Sequence, residues 1–160
     1  MVTVTAGHDT RVSLAALIAV RPGCRPRLIF RTHRARRGDT RKGFAETDYA
    51  RLLDAAHQQL GAPLVLVWDG LNTHTSRAMR ELIAARDWLT VFRLPPYAPE
   101  LNPVEPVWSN LKRSLVNLTK HNISELTALV KTRLRRMQYR PGLLDGFLAK
   151  PGLDLGNFQN

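Results

Sequence analysis

Cysteine is nearly absent: Cys24 stands alone among 160 residues. A lone thiol makes no intramolecular disulfide, so the fold must rest on packing, and a reducing, cytoplasmic setting is expected. Long apolar runs are missing too. No stretch approaches the roughly 20 residues that cross a bilayer as a helix, so no membrane span is expected. The opening, MVTVTAGHDT, has no basic segment followed by an apolar one, which argues against a secretory signal. Acidic residues are scarce: thirteen Asp and Glu stand against twenty-four Lys and Arg, for a net charge of +11. A polyanion is the first partner such a chain suggests, because cations that neutralise phosphates release counterions. Nineteen of those cations are Arg, whose guanidinium forks onto phosphate. A GC-rich genome would give the same bias, and plain solubility is the blander reading of the charge.

What is present reads as one globular domain over residues 1–150 with a tail at 151–160. The chain is 44% hydrophobic and 23% charged, ordinary for a folded domain. VTVT at residues 2–5, VSLAALIAV at 12–20 and RLIFR at 27–31 predict three strands. Connections as short as Arg21-Pro22-Gly23 make them an antiparallel meander. Residues 32–43, THRARRGDTRKG, predict a solvated loop. It carries Arg34, Arg36, Arg37, Arg41 and Lys42, which either contact a DNA backbone or are incidental surface charge. Thr47 can cap a helix that runs to Leu60, with Tyr49, Leu52, Leu53, Ala56 and Leu60 on one stripe. Leu64 to Trp68 is wholly apolar and predicts a strand buried on both faces. A helix from Thr75 to Arg86 and a strand from Leu89 to Leu94 complete a βαβ unit with parallel strands. After PPYAP, Asn102 and Pro103 start a helix carrying Trp108 and Leu111. Asn122 caps a last long helix, which Pro141 ends. A mixed α/β sheet flanked by helices is the fold class expected.

Two carboxylates carry the chemistry, with thirty-five residues between them: Asp69 and Glu105. Asp69 follows LVLVW at the carboxyl end of a parallel strand, where ligands gather in open α/β sheets. An Asx turn or helix cap is its bland alternative. Asn72 and His74 follow closely enough to line the same cleft. Glu105 stands three residues after Asn102, the spacing of a capping box, so it has a purely structural alternative as well. Hard divalent ions take oxygen ligands and share them with water and substrate phosphates. A pair of such ions about 3.5–4 Å apart serves in-line phosphodiester displacement. That work needs acids in a basic surround, and this stretch offers both.

WDGLNTH, LPPYAPELNPVEPVW and the trailing NLKR resemble the catalytic domain of DDE-type transposases, within the mariner-like superfamily and its bacterial insertion-sequence branch. The resemblance covers nearly the whole chain and is strongest over residues 64–113. It implies a ribonuclease-H-like fold, Mg²⁺ (or Mn²⁺) as cofactor, and cleavage and strand transfer of DNA at transposon ends and target. It makes Asp69 similar to the second acid of a catalytic triad and Glu105 to the third, both as metal ligands. Asn72, His74 and Asn102 match supporting positions. Lys112 extends the signature, and with Arg113 it joins the loop cations as a DNA contact. The departures are also informative. The family's first acid lies on a first strand with no counterpart here except Asp9, in a turn, so an N-terminally truncated domain is expected. Gly70 stands where Asn is common, and Pro106 falls inside a first helical turn. Such a chain is expected to associate with itself or with intact transposase. Two other readings are a non-catalytic DNA-binding remnant and a different ribonuclease-H-like nuclease.

Overall fold

In the computed structural model, residues 2–6, 10–36, 38–41, 43–96, 98–115 and 123–149 are described. They form two compact units. One contains Met1–Phe44 and Pro103–Asn160, the other Ala45–Asn102.

The first unit opens with the expected meander. Strands β1 (Val2–Ala6), β2 (Thr10–Ala19) and β3 (Arg27–Arg36) lie side by side in that order. All pairings are antiparallel, with Val2 opposite Leu14 and Ala19 opposite Arg27. The β2–β3 turn closes through Cys24 N–H donating to the Arg21 carbonyl at 3.0 Å. Gly23 sits there at φ 72°, a left-handed conformation that costs glycine nothing. β3 is longer than the sequence suggests. It continues through Thr32–Arg36 because β2 offers ten partners, down to Thr10 opposite Arg36. Ala35 is buried, so only the remainder of the basic segment is loop.

Helices α4 (Glu105–Leu115), α5 (Ile123–Gln138) and α6 (Pro141–Ala149) belong to the same unit. Their apolar stripes meet the sheet in one core: Val12, Leu14 and Leu28 with Val107, Trp108, Leu111, Val130 and Leu134, among others. Helical spacing puts Leu126, Val130, Leu134 and Met137 on one side of α5. Gln138 Nε2 donates to the Leu28 carbonyl and fixes the end of α5 against β3. Pro141 does follow the end of α5, but it also starts α6, where its missing N–H is an orphan in any case. Position 122, the expected cap of α5, lies outside the described residues.

The second unit runs α1 (Glu46–Leu60), β4 (Leu64–Trp68), α2 (Asn72–Thr75), α3 (Arg77–Ala84), β5 (Leu89–Arg93) and a 3₁₀ turn at Pro99–Leu101. β4 and β5 are parallel, as the βαβ pattern requires, with Leu64 opposite Leu89 and Trp68 opposite Arg93. Tyr49, Leu52, Leu53 and Ala56 form the buried stripe of α1. The helix begins two residues earlier than Thr47 as a cap would set it, because Ala45 is the cap and Asp48 accepts its N–H at 3.0 Å. Gly61 ends it at φ 61°, its N–H donating to the His57 carbonyl at 2.8 Å. Arg86 then ties the chain before β5 to α1: Nε and Nη2 donate to the two Asp54 oxygens at 2.7 and 2.9 Å.

The helix expected from Thr75 to Arg86 is α3, which starts at Arg77 and ends at Ala84, and the separate short helix α2 precedes it. Ser76 sits between them with extended backbone, and its hydroxyl oxygen accepts the Met79 N–H at 3.1 Å. Its hydroxyl also donates to Glu46 Oε1 at 2.8 Å. A serine that caps one helix breaks the other. β4 also differs from expectation. Leu66 and Trp68 are buried, but Val65 is 71% and Val67 56% exposed, so one face of the strand is open. Among the described residues β4 pairs only with β5.

Candidate functional site

Asp69 comes directly after Trp68, at the carboxyl end of the parallel pair. The ladder continues one step beyond β5, where Leu94 N–H donates to the Trp68 carbonyl at 2.8 Å. That bond holds the peptide entering Asp69. Gly70 and Leu71 then turn the chain into α2, whose first residue is Asn72 and whose third is His74. Asp69, Asn72 and His74 are therefore gathered in one short turn at one strand end. A Cβ built at Gly70 meets nothing within 4 Å, so the turn tolerates the Asn common at this position.

His74 is 6% exposed. Its ring lies flat on Trp68, with centroids 4.1 Å apart and planes at 2°. It meets Tyr49 edge-on at 4.7 Å and 87°. Nδ1 stands 3.1 Å from the Asp69 main-chain carbonyl and 2.9 Å from Asp69 Oδ1. The N–H aligns with the carbonyl. Oδ1 is nearer, but it is buried and makes no hydrogen bond, so its meeting with His74 is a close charged contact. A carbonyl only accepts, so the proton resides on Nδ1. The opposite nitrogen, Nε2, is buried without a partner, as is Trp68 Nε1.

The charge follows from this geometry. The His74 contact, the largest influence, holds the Asp69 carboxyl below the usual Asp range against the opposing effect of burial. The Leu71 N–H adds a smaller pull in the same direction, the Asx-turn bond anticipated for this residue. Asp69 is thus an ionised carboxylate whose side chain is 35% exposed. Burial first, then the Asp69 charge, push the Tyr49 hydroxyl up to about 12. A cavity of about 250 Å³ opens beside the stacked rings, lined by Trp68, His74, Arg80, Ile83, Ala84, Val91 and Arg93. Sequence reading missed Arg80 and Arg93. Their only signal was position, on the helix and strand that flank the Asp69 turn.

Glu105 is the first residue of α4 and is half-buried. Trp108 N–H donates to the Val104 carbonyl at 3.3 Å, so the helix starts from Val104 rather than from Asn102. Pro106 causes no break, since first-turn N–H groups have no helical acceptor. Asn102 is half-buried just after the 3₁₀ turn, and Lys112 and Arg113 are exposed in the last turn of α4. Arg34 lies on β3 and reaches Ser124 Oγ at 3.4 Å. Arg41 Nη2 lies 3.0 Å from His33 Nδ1. Arg36 ends β3. Arg37 and Lys42, like Asp9, lie outside the described residues. Among the described residues no three His, Cys, Asp or Glu side chains gather as a metal-holding group.

Residues 7–129 match the family model for DDE superfamily endonucleases. The chain belongs to that family. Its fold is similar to the catalytic domain of Mos1 mariner transposase, with 15% identity, a TM-score of 0.52, and 88% of this chain and 81% of that one covered. The Mos1 catalytic domain solved with raltegravir and Mn gives 13% identity and a TM-score of 0.53, covering 88% of this chain and 82% of that one. The Mos1 paired-end complex with the left transposon end gives 14% identity and a TM-score of 0.53, over 89% of this chain and 55% of that one. No curated protein matches the sequence. At these identities the likeness to Mos1 is one of fold. The antiparallel and parallel sheets with their flanking helices match the ribonuclease-H-like fold of the Mos1 catalytic domain. No helix among the described residues is long and apolar enough to cross a membrane.

Proposed function

We propose that this DDE endonuclease domain cuts and joins DNA at transposon ends and target, as part of a bacterial insertion-sequence transposase of the cytoplasm. Asp69 and Glu105 act as the second and third acids of its triad. The observation that carries the reading is a part-exposed Asp69 at the carboxyl end of a parallel strand, in the family's own motif. A hard divalent ion fits such a donor, since its shell is built from carboxylate, water and phosphate oxygens. Mg²⁺ or Mn²⁺ would be held by Asp69 and Glu105. When bound, it would supply Lewis-acid stabilisation of the charge that develops on phosphate. His74 and Trp68 keep Asp69 in place, while Asn72 and Asn102 shape the approaches to the two acids. Arg34, Arg36, Arg37, Arg41, Lys42, Lys112 and Arg113 bind the DNA backbone. The domain works as a homodimer or alongside intact transposase subunits.

Two carboxylates hold such metal weakly, so the 160-residue chain cuts DNA poorly by itself. In the full-length transposase, Asp69→Asn abolishes metal-dependent nicking of supercoiled DNA; nicking at the parental rate would sink the assignment. A non-catalytic DNA-binding role is the second reading, favoured by the +11 charge. It predicts salt-sensitive DNA binding without a metal-dependent product.

A further inference from the structure

We infer that His74 is a positioning residue for Asp69: its Nδ1–H bonds the carbonyl of that residue and, from there, faces the carboxylate at 2.9 Å. The inference rests on Asp69 being a metal ligand, and it deepens that assignment by naming the atom that orients it.

A carboxylate at a strand end rotates freely about χ1 unless something holds it, and a mobile ligand binds metal weakly. Partners that fix ligating side chains are worth roughly 10–100-fold in metal affinity. Here the fixing group is built with care. The His74 ring is 6% exposed and cannot swing away. Trp68 covers one face at 4.1 Å, and Tyr49 meets it edge-on at 4.7 Å. Within that slot Nδ1 falls 3.1 Å from the Asp69 carbonyl and 2.9 Å from its Oδ1. The same N–H group thereby bonds the Asp69 backbone and sits against its carboxylate. The carbonyl fixes the tautomer, so Nδ1 carries the proton in the protein at rest. Oδ1 is buried and makes no hydrogen bond, which leaves the His74 Nδ1, 2.9 Å away, as its orienting contact. Nε2 has no partner at all, so donation from that nitrogen plays no part.

A plain packing role would make the ring matter and the N–H not, and two substitutions separate these cases. His74→Phe keeps the ring between Trp68 and Tyr49 but removes the donor. His74→Asn removes the ring but places an amide N–H near the position of Nδ1. The probe is Mn²⁺ alone, titrated into the full chain by calorimetry. The expected result is an affinity roughly 10–100-fold weaker in His74→Phe, with His74→Asn recovering most of the loss. Phe at parental affinity, or Asn as weak as Phe, would overturn the inference. Nitrogen-15 NMR of the metal-free parental protein gives a readout that needs no metal: the proton should be on Nδ1, and a proton on Nε2 would overturn it equally. Asp69→Ala run alongside separates the two levels. If that variant keeps parental Mn²⁺ affinity, the metal assignment itself fails. If it loses affinity while His74→Phe does not, only the role of His74 fails.

Discussion

Replacing Asp54 by Asn removes one charge from the Asp54–Arg86 fork without changing its shape. Both carboxylate oxygens accept from the guanidinium, at 2.7 and 2.9 Å. Arg86 also donates from Nη1 to the Leu82 carbonyl, so the guanidinium stays where it is when the partner changes. The Arg86 side chain is 16% exposed and that of Asp54 39%. A fully exposed pair is worth about 0–1 kcal/mol, whereas stripping one partner from a buried pair costs about 3–5 kcal/mol. Solvent screening at Asp54 pulls this pair toward the lower figure, and bidentate geometry raises it. About 1–2 kcal/mol is therefore expected at neutral pH. The sign with pH follows from the titration of Asp54. Its hydrogen bonds to Arg86 hold its carboxyl below the usual Asp range. The stabilisation is thus complete above the unfolded value of roughly 3.9 and is lost as pH falls through the folded one. Urea unfolding followed by the fluorescence of Trp68 and Trp88, both in this unit, reads the difference. Asp54→Asn should be less stable at pH 7 and should approach the parental protein once acid protonates the folded Asp54 carboxyl, below the usual Asp range. Equal stability at pH 7, or a gap that persists undiminished in acid, would refute the reasoning.

Other outcomes follow from packing and backbone. Leu134 is fully buried in the core of the first unit, so Leu134→Ala should cost about 2–5 kcal/mol in urea unfolding; a loss below 1 kcal/mol would mean that the core is not packed as described. Gly70 has no close neighbour around a built Cβ and no left-handed backbone, so Gly70→Asn should leave stability within about 0.5 kcal/mol of the parent, and a larger loss would show a hidden constraint in the Asp69 turn.

The parts of the fold legible in the sequence were those with a clean period and a single consequence. VTVT, VSLAALIAV and RLIFR gave the meander because connections that short admit no crossover. LVLVW, a helical stretch and LTVFR gave the parallel pair for the opposite reason. Local competition was harder to read. Ser76 looks like an ordinary helical residue until its hydroxyl is seen capping Met79 and bonding Glu46. Arg34 and Arg36 look like loop because their charge outweighs the alternation that keeps Ala35 buried. The bare face of β4 was illegible because an apolar run does not say which neighbours will cover it. At the site, the motif marked Asp69 and His74, but only the folded chain shows Nδ1 bonded to the Asp69 carbonyl and set against its carboxylate. Arg80 and Arg93 carry no motif and emerge only as the lining of a cavity.

The central claim is that Asp69 and Glu105 are metal-holding acids of a DNA-cutting domain. The most direct test is Mn²⁺ binding to the full chain, measured for the parent, Asp69→Asn and Glu105→Gln. The account predicts weak but measurable binding in the parent and a loss of about tenfold or more in each variant, with folding retained by circular dichroism. Parental affinity in both variants would contradict it and would leave a basic domain that holds DNA without cutting it.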